Sequence, residues 1–196
     1  EGIASKVSAG TNFNYKMGFP VVEIKERNSG NYAISQAATA DYTIIFMGND
    51  GSTEGEESDA IASPISGDHT TLALPKSQMD FFRTVVRQRR PNNHLIVVVT
   101  GGSPVELAEI EKSADAIIMA WYPGQEGGAA LAELLFGEAN FSGRLPITFP
   151  DKTELLPDFE DYSMKGRTYK YMDSNIFYPF GYGLSFGSVE YGDVSM

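Results

Sequence analysis

The sequence predicts a three-layer α/β/α sandwich on a mostly parallel sheet of about five or six strands. Three observations carry this expectation. Short apolar runs recur as DYTIIFMG at 41–48, HLIVVVT at 94–100 and DAIIMAW at 115–121. Each suits a strand buried on both faces, as strands of a parallel sheet are. Helical patterns lie between them, so strands and helices alternate along the chain. Right-handed crossovers then put helices on both faces, a flavodoxin-like arrangement. Residues 1–196 read as one domain without an internal repeat.

The elements follow in order. Residues 1–31 carry short extended signals: 11–15 alternates, 21–24 is a second candidate strand, and 28–31 is a turn cluster. YAISQAATA, 32–40, sets Ile34, Ala37 and Ala38 on one helical face. After the strand at 41–48, residues 49–74 show no clear period. Irregular loops of that length are uncommon in compact domains unless they serve function or are disordered. Residues 76–90 are amphipathic, with Met79, Phe82, Val85 and Val86 on one stripe. Pro75 fits the first helical position, and Pro91 the stop. Ser103 and Pro104 read as N-cap and first residue of a helix reaching about Ser113. Beyond the strand at 115–121, residues 125–128 open an alanine- and leucine-rich helix that Gly137 ends. Residues 143–150 return as an extended run. Two tyrosine-rich pieces, 168–171 and 177–186, flank a turn at Asp173, Ser174 and Asn175.

The formal net charge of -11 and pI near 4.6 argue against nucleic acid, whose phosphates call for basic patches. They equally disfavour an anionic membrane surface. No run of about 18 apolar residues supplies a membrane span. EGIASKVSAG does not resemble a signal peptide, and the missing initiator Met suggests processing or excision from a longer chain. With Cys 0, thiol catalysis and thiolate metal sites are excluded.

Most motifs weigh towards architecture. Gly183 to Gly187 match the nucleophile-elbow pattern, but no histidine follows and only a short tail remains. His94 starts a strand and reads as structural. His69 lies in the acidic loop, where an acid–base or binding role is conceivable. Neither zinc nor calcium spacing is present, so no metal and no cofactor is expected. Asn140-Phe141-Ser142 has the form of a glycosylation acceptor. The pairs Gly101-Gly102 and Gly127-Gly128 could approach phosphate at helix starts. They lack a Walker or GxGxxG context, so a nucleotide-binding reading rests on fold alone. The strongest chemical candidate is the loop carrying Glu54, Glu56, Glu57 and Asp59 without an intervening base. Mutual repulsion raises carboxyl pKa values, and a carboxyl kept protonated can give its proton to a leaving oxygen. The alternative is a solvated acidic loop.

Five stretches in this order resemble the C-terminal α/β sandwich domain of glycoside hydrolase family 3, which contains β-glucosidases and β-xylosidases. They are ADYTIIFMG (40–48), EGEESD (54–59), LALPKSQ (72–78), YPGQEGGAALAELLFGEANFSGRLPITFP (122–150) and GRTYKYMDSNIFYPFGYGLSF (166–186). The resemblance implies one domain of a retaining, exo-acting enzyme that removes terminal β-linked glucose or xylose. It implies a carbohydrate substrate, an N-terminal β/α barrel of the same full-length chain carrying an Asp nucleophile, and a secreted or periplasmic location. A fibronectin-like module often follows such a domain. The family's loop often reads Glu-x-Glu-Gly-x-Asp-Arg. Matched residue by residue, Glu56 takes the acid/base position, with Glu54 and Glu57 as alternatives, and Asp59 takes the substrate-binding Asp. Glu57 replaces Gly, Ala60 replaces Arg, and extra residues at about 61–67 precede LALPKSQ. A second alignment sets Asp68-His69 against Asp-Arg. Phe141 stands where Pro is frequent. A non-catalytic scaffold or glycan-binding role is the competing reading.

Overall fold

Branched aliphatic side chains are stiff at χ1 and suit a pleated backbone, and the three runs richest in them are the strands. In this computed structural model the described residues are 1–19, 30–56, 58–60, 63, 67–188, 190 and 192–193. The candidate strand at 21–24, the turn residues 28 and 29, and Glu57 lie outside them. The order is α1 (Gly2–Lys6), α2 (Asn31–Thr39), β1 (Tyr42–Gly48), α3 (Lys76–Gln88), β2 (His94–Thr100), α4 (Ala108–Glu111) and β3 (Ala116–Trp121). Then come α5 (Gly127–Leu135), β4 (Phe149–Pro150), a 3₁₀ turn (Thr153–Leu155), α6 (Thr168–Tyr171) and β5 (Ile176–Tyr178).

Strands β1, β2 and β3 form a parallel sheet in that order. Register aligns Ile45, Val97 and Ile117, and next to them Met47, Val99 and Met119. These side chains share one face and meet Ala37 of α2, Phe82 and Val85 of α3, and Leu107, Ile110 and Phe149. Central β2 buries Leu95, Val97, Val98 and Val99 completely. Full burial of each aliphatic side chain contributes about 1.5–3 kcal/mol. At the amino end of the sheet the Asp115 carboxylate accepts the Leu95 amide at 2.7 Å and so is held below its ordinary range. Asn93 donates to the Ala40 carbonyl and the Thr43 hydroxyl there. Helix α1 lies against α5. A Cβ on Gly2 would fall 2.0 Å from the Gly128 carbonyl oxygen, so only glycine permits the approach.

The α/β class is as predicted, but the described sheet is narrower than five or six strands. The run at 143–150 does not add a parallel strand. Leu145 exchanges backbone hydrogen bonds with Gly181 and Tyr182, and Phe149 pairs antiparallel with Tyr178. Pro146 and Pro150 supply no amide donor, which breaks a regular ladder. Residues 11–15 are irregular, with the Asn14 amide bonded to Asn12, a local bond that competes with strand pairing. The helix expected from Ser103 shrinks to α4, because the Glu106 amide donates instead to the Leu72 carbonyl at 2.8 Å.

Gly48 ends β1 at φ 137, where a Cβ would sit 2.0 Å from the Thr100 carbonyl oxygen. Its amide donates to Gln78 Oε1 and its carbonyl accepts from Gln78 Nε2, both at 2.7 Å. Gln78, on the first turn of α3, is buried. It satisfies two backbone groups that no strand pairs among the described residues. Gln78→Ala orphans both, and each buried unsatisfied group costs about 1–3 kcal/mol. Urea unfolding should therefore show a loss of about 2 kcal/mol or more; a loss near zero would mean that the clamp is not needed.

Candidate active site

Ligands of open α/β sheets sit beyond the carboxyl ends of the strands. Three loops leave that end here. The first follows β1 and turns at once. The Asp50 carbonyl accepts the amides of Thr53 and Glu54, and the Asp50 amide donates to the Thr53 hydroxyl at 2.9 Å. Hydrogen bonds from Ser52 hold the Asp50 carboxyl below its ordinary value. This turn brings Glu54 across to the loops after β2 and β3.

Three donors converge on Glu54. The Ser103 hydroxyl donates to Oε1, and the Tyr122 hydroxyl and the Gly102 amide, the latter at 3.2 Å, donate to Oε2. Partial burial acts to raise the Glu54 pKa, but the bonds from Ser103, Tyr122 and Gly102 and the charge of His69 outweigh it. The carboxyl lies below its ordinary 4.5. The counterpart is Tyr122, whose hydroxyl is pushed up to about 12 by burial and by the Glu54 carboxylate. Trp121, the last residue of β3, has φ 55, and this left-handed turn precedes Tyr122. The β2–β3 register shifts there, with Thr100 facing Trp121.

The other predicted residues are placed differently. Glu56 is exposed, its carbonyl accepts the Asp59 amide at 3.0 Å, and its carboxyl makes no hydrogen bond or ion pair among the described residues. Asp59 is exposed too. His69 is half-buried, close enough to influence Glu54, and its Nε2 is buried without a partner among the described residues. Ala60 is fully buried, an apolar anchor in the loop. His94 is structural as expected, since it stacks on Tyr42 with ring centres 5.0 Å apart. Ser185 is no elbow nucleophile: its hydroxyl donates to the Phe141 carbonyl and no helix follows among the described residues. The Gly102 amide serves Glu54 rather than a phosphate. Among the described residues no group of three His, Asp or Glu side chains could hold a metal ion. Sequence reasoning missed Ser103 and Tyr122. Ser103 carried a signal, but it was that of a helix cap. Tyr122 had only its place at a strand end.

The family model described as "Glycosyl hydrolase family 3 C-terminal domain" matches residues 1–186. The chain belongs to glycoside hydrolase family 3. This family 3 domain is 45% identical over 155 residues to a xylan 1,4-β-xylosidase of Xylanibacter ruminicola, covering 78% of this chain and 18% of that protein. It is 33% identical over 176 residues to a periplasmic β-glucosidase of Salmonella typhimurium, covering 84% and 21%. The chain thus spans only a minor part of the length of the relatives it matches. A GH3 exo-β-xylosidase solved with a xylobiose aziridine probe shares the fold, with TM-score 0.75, 24% identity, and coverage of 95% of this chain and 24% of that one. A GH3 β-glucosidase of Bifidobacterium adolescentis superposes with TM-score 0.69 at 26% identity, covering 87% and 26%.

The acid limb of stability tests the state of Glu54 in the family 3 domain. A folded carboxyl held below 4.5 stabilises fully above that pH, and the stabilisation is lost as pH falls through the lowered value. Urea midpoints followed from neutral to about pH 3 should show Glu54→Gln less stable than the parent at neutral pH. The gap should close on acidification below 4.5. A gap that is independent of pH would mean that Glu54 is not ionised in the fold.

Proposed function

We propose that this chain is the C-terminal sandwich domain of a retaining, exo-acting β-glycosidase, with Glu56 as its acid/base. The substrate class is terminal β-linked glucose or xylose, which matches the β-xylosidase and β-glucosidase names of its relatives. One observation carries the assignment. Glu56 is the exposed carboxyl next along the loop from Glu54, at the end of the sheet where ligands bind. It is unoccupied by any described side chain and so available to a substrate.

Retention of configuration needs two carboxyl groups about 5–5.5 Å apart across the sugar. One loop seldom supplies both. In this reading an Asp on an N-terminal β/α barrel of the same full-length chain attacks the anomeric carbon. Glu56 gives its proton to the glycosidic oxygen, so the bond breaks and the alcohol leaves. The resulting carboxylate then takes a proton from water, whose oxygen displaces the Asp and regenerates both groups. No cofactor takes part. Residues 1–196 would form a single domain of that enzyme, with Asp59 and His69 near the sugar. A secreted or periplasmic location accords with the periplasmic relative. Among the described residues no helix is long and apolar enough to cross a membrane.

A second reading, a non-catalytic scaffold or glycan-binding domain, draws on buried Ala60, which cannot offer a sugar the charge of an arginine. Glu56→Ala in the full-length enzyme separates the two. On substrates with poor leaving groups kcat should fall about 10²- to 10⁴-fold; on a substrate whose leaving group departs without acid, azide should raise turnover by displacing the Asp from the anomeric carbon to give a glycosyl azide. The isolated domain should hydrolyse nothing. Unchanged kcat in the full-length variant would favour the scaffold.

A further inference from the structure

Glu54 has a geometry unlike that of a residue that exchanges protons. All three of its partners approach as donors, and the Gly102 amide can do nothing else. Protonating the carboxyl would set an acidic hydrogen against that ring of donors. The donors also come from two separate places, Gly102 and Ser103 beyond β2 and Tyr122 beyond β3. One carboxylate therefore ties the loop after β1 to both neighbouring strand ends. The backbone is strained to complete the arrangement. Trp121 at φ 55 occupies a left-handed region that disfavours a residue with a side chain, and such strain persists where the surroundings over-determine it.

We propose that Glu54 is the positioning residue of the acidic loop: through Gly102, Ser103 and Tyr122 its carboxylate fixes where the Glu56 carboxyl stands over the sheet. The inference rests on the reading of Glu56 as acid/base. Only Gly55 separates the two glutamates, so Glu56 lies within two Cα steps of about 3.8 Å each from the anchored residue. A shift of the anchor passes to the acid with little backbone to absorb it. A misplacement of about 1 Å can lower a rate by about 10²-fold. Ser103 and Tyr122 then act in the same chain of support, as hydroxyls that hold the holder.

The test uses the full-length enzyme with Glu54→Gln, Tyr122→Phe, the pair combined, and Glu56→Ala as reference. On a substrate with a poor leaving group the two single variants should each lose roughly 10- to 100-fold in kcat, with KM changed less than about threefold. On a substrate with a good leaving group azide should not speed them, because Glu56 still fills the acid/base position, whereas it should speed Glu56→Ala by attacking the glycosyl–Asp intermediate. The double variant should lose little more than the worse single one, since both remove one unit. Unchanged kcat in both single variants, strictly multiplicative losses, or a rise in KM alone would overturn the positioning role, while azide rescue of Glu56→Ala would leave the acid/base reading intact. Azide rescue of Glu54→Gln with an unimpaired Glu56→Ala would overturn both and move the acid/base to Glu54. If Glu54→Gln fails to fold, Tyr122→Phe decides, because it keeps the ring and removes only the donor.

Discussion

The paired hydrogen bonds between the Gln78 amide and the backbone of Gly48 hold together features that lie far apart in sequence. A strand at the side of a sheet has backbone groups that its one neighbour does not meet. At the last residue of β1 a side chain from α3 meets them instead. The same pair fixes α3 against the sheet, and α3 carries Phe82 and Val85 into the core. It also fixes the point from which the acidic loop departs. Asn49 continues the contact by donating to the Thr100 carbonyl at 3.0 Å, and the Asp50 turn begins one residue later. Everything that places Glu54 starts from a strand end that is already immobile.

The two ends of the sheet divide the work. At the amino end, Asp115, Asn93 and the neighbouring backbone satisfy each other in short, local bonds. The Asn93 Oδ1 is the exception, buried without a hydrogen-bond partner among the described residues. At the carboxyl end, glycines and a left-handed Trp121 open the strands, and polar side chains reach across between loops. The fold accepts strain and an unpartnered His69 nitrogen at that end. This asymmetry accords with a catalytic loop set on a rigid base.

The three sheet strands were legible because each is a short apolar run, although only β2 is buried on both faces, and helix α3 because its stripe has a helical period. The motif LPKSQ was legible as a family mark, but its physical content was not. Gln78 looks like any polar residue near a helix start until Gly48 is seen beside it. Ser103 was misread for a related reason. A serine before proline is a good helix cap, and the hydroxyl that would cap a helix can equally bind a carboxylate. Only the partner distinguishes them, and Glu54 is distant in sequence. The same holds for the two glutamates themselves, equal in a string of letters and opposite in space. The run at 143–150 is extended as expected, but its antiparallel partners lie beyond Asn175, a pairing that no local pattern announces.

The Glu54 anchor also partitions the loop for anyone who would redesign it. Residues 49–56 form the taut portion, bounded by the Gly48 clamp on one side and the carboxylate tie on the other. Insertions there would change the reach of Glu56 directly. Past Asp59 the chain is re-secured by buried Ala60 and later by Leu72, whose amide donates to the Thr153 hydroxyl at 2.8 Å. Between those two fixtures lies His69, whose charge acts on the Glu54 carboxylate and so links this part of the loop to the anchor. The departure from the family pattern in this protein, extra residues at about 61–67, falls between Ala60 and His69. A library that varies composition between Ala60 and Leu72 would have to keep His69 to leave the charge acting on Glu54 unchanged.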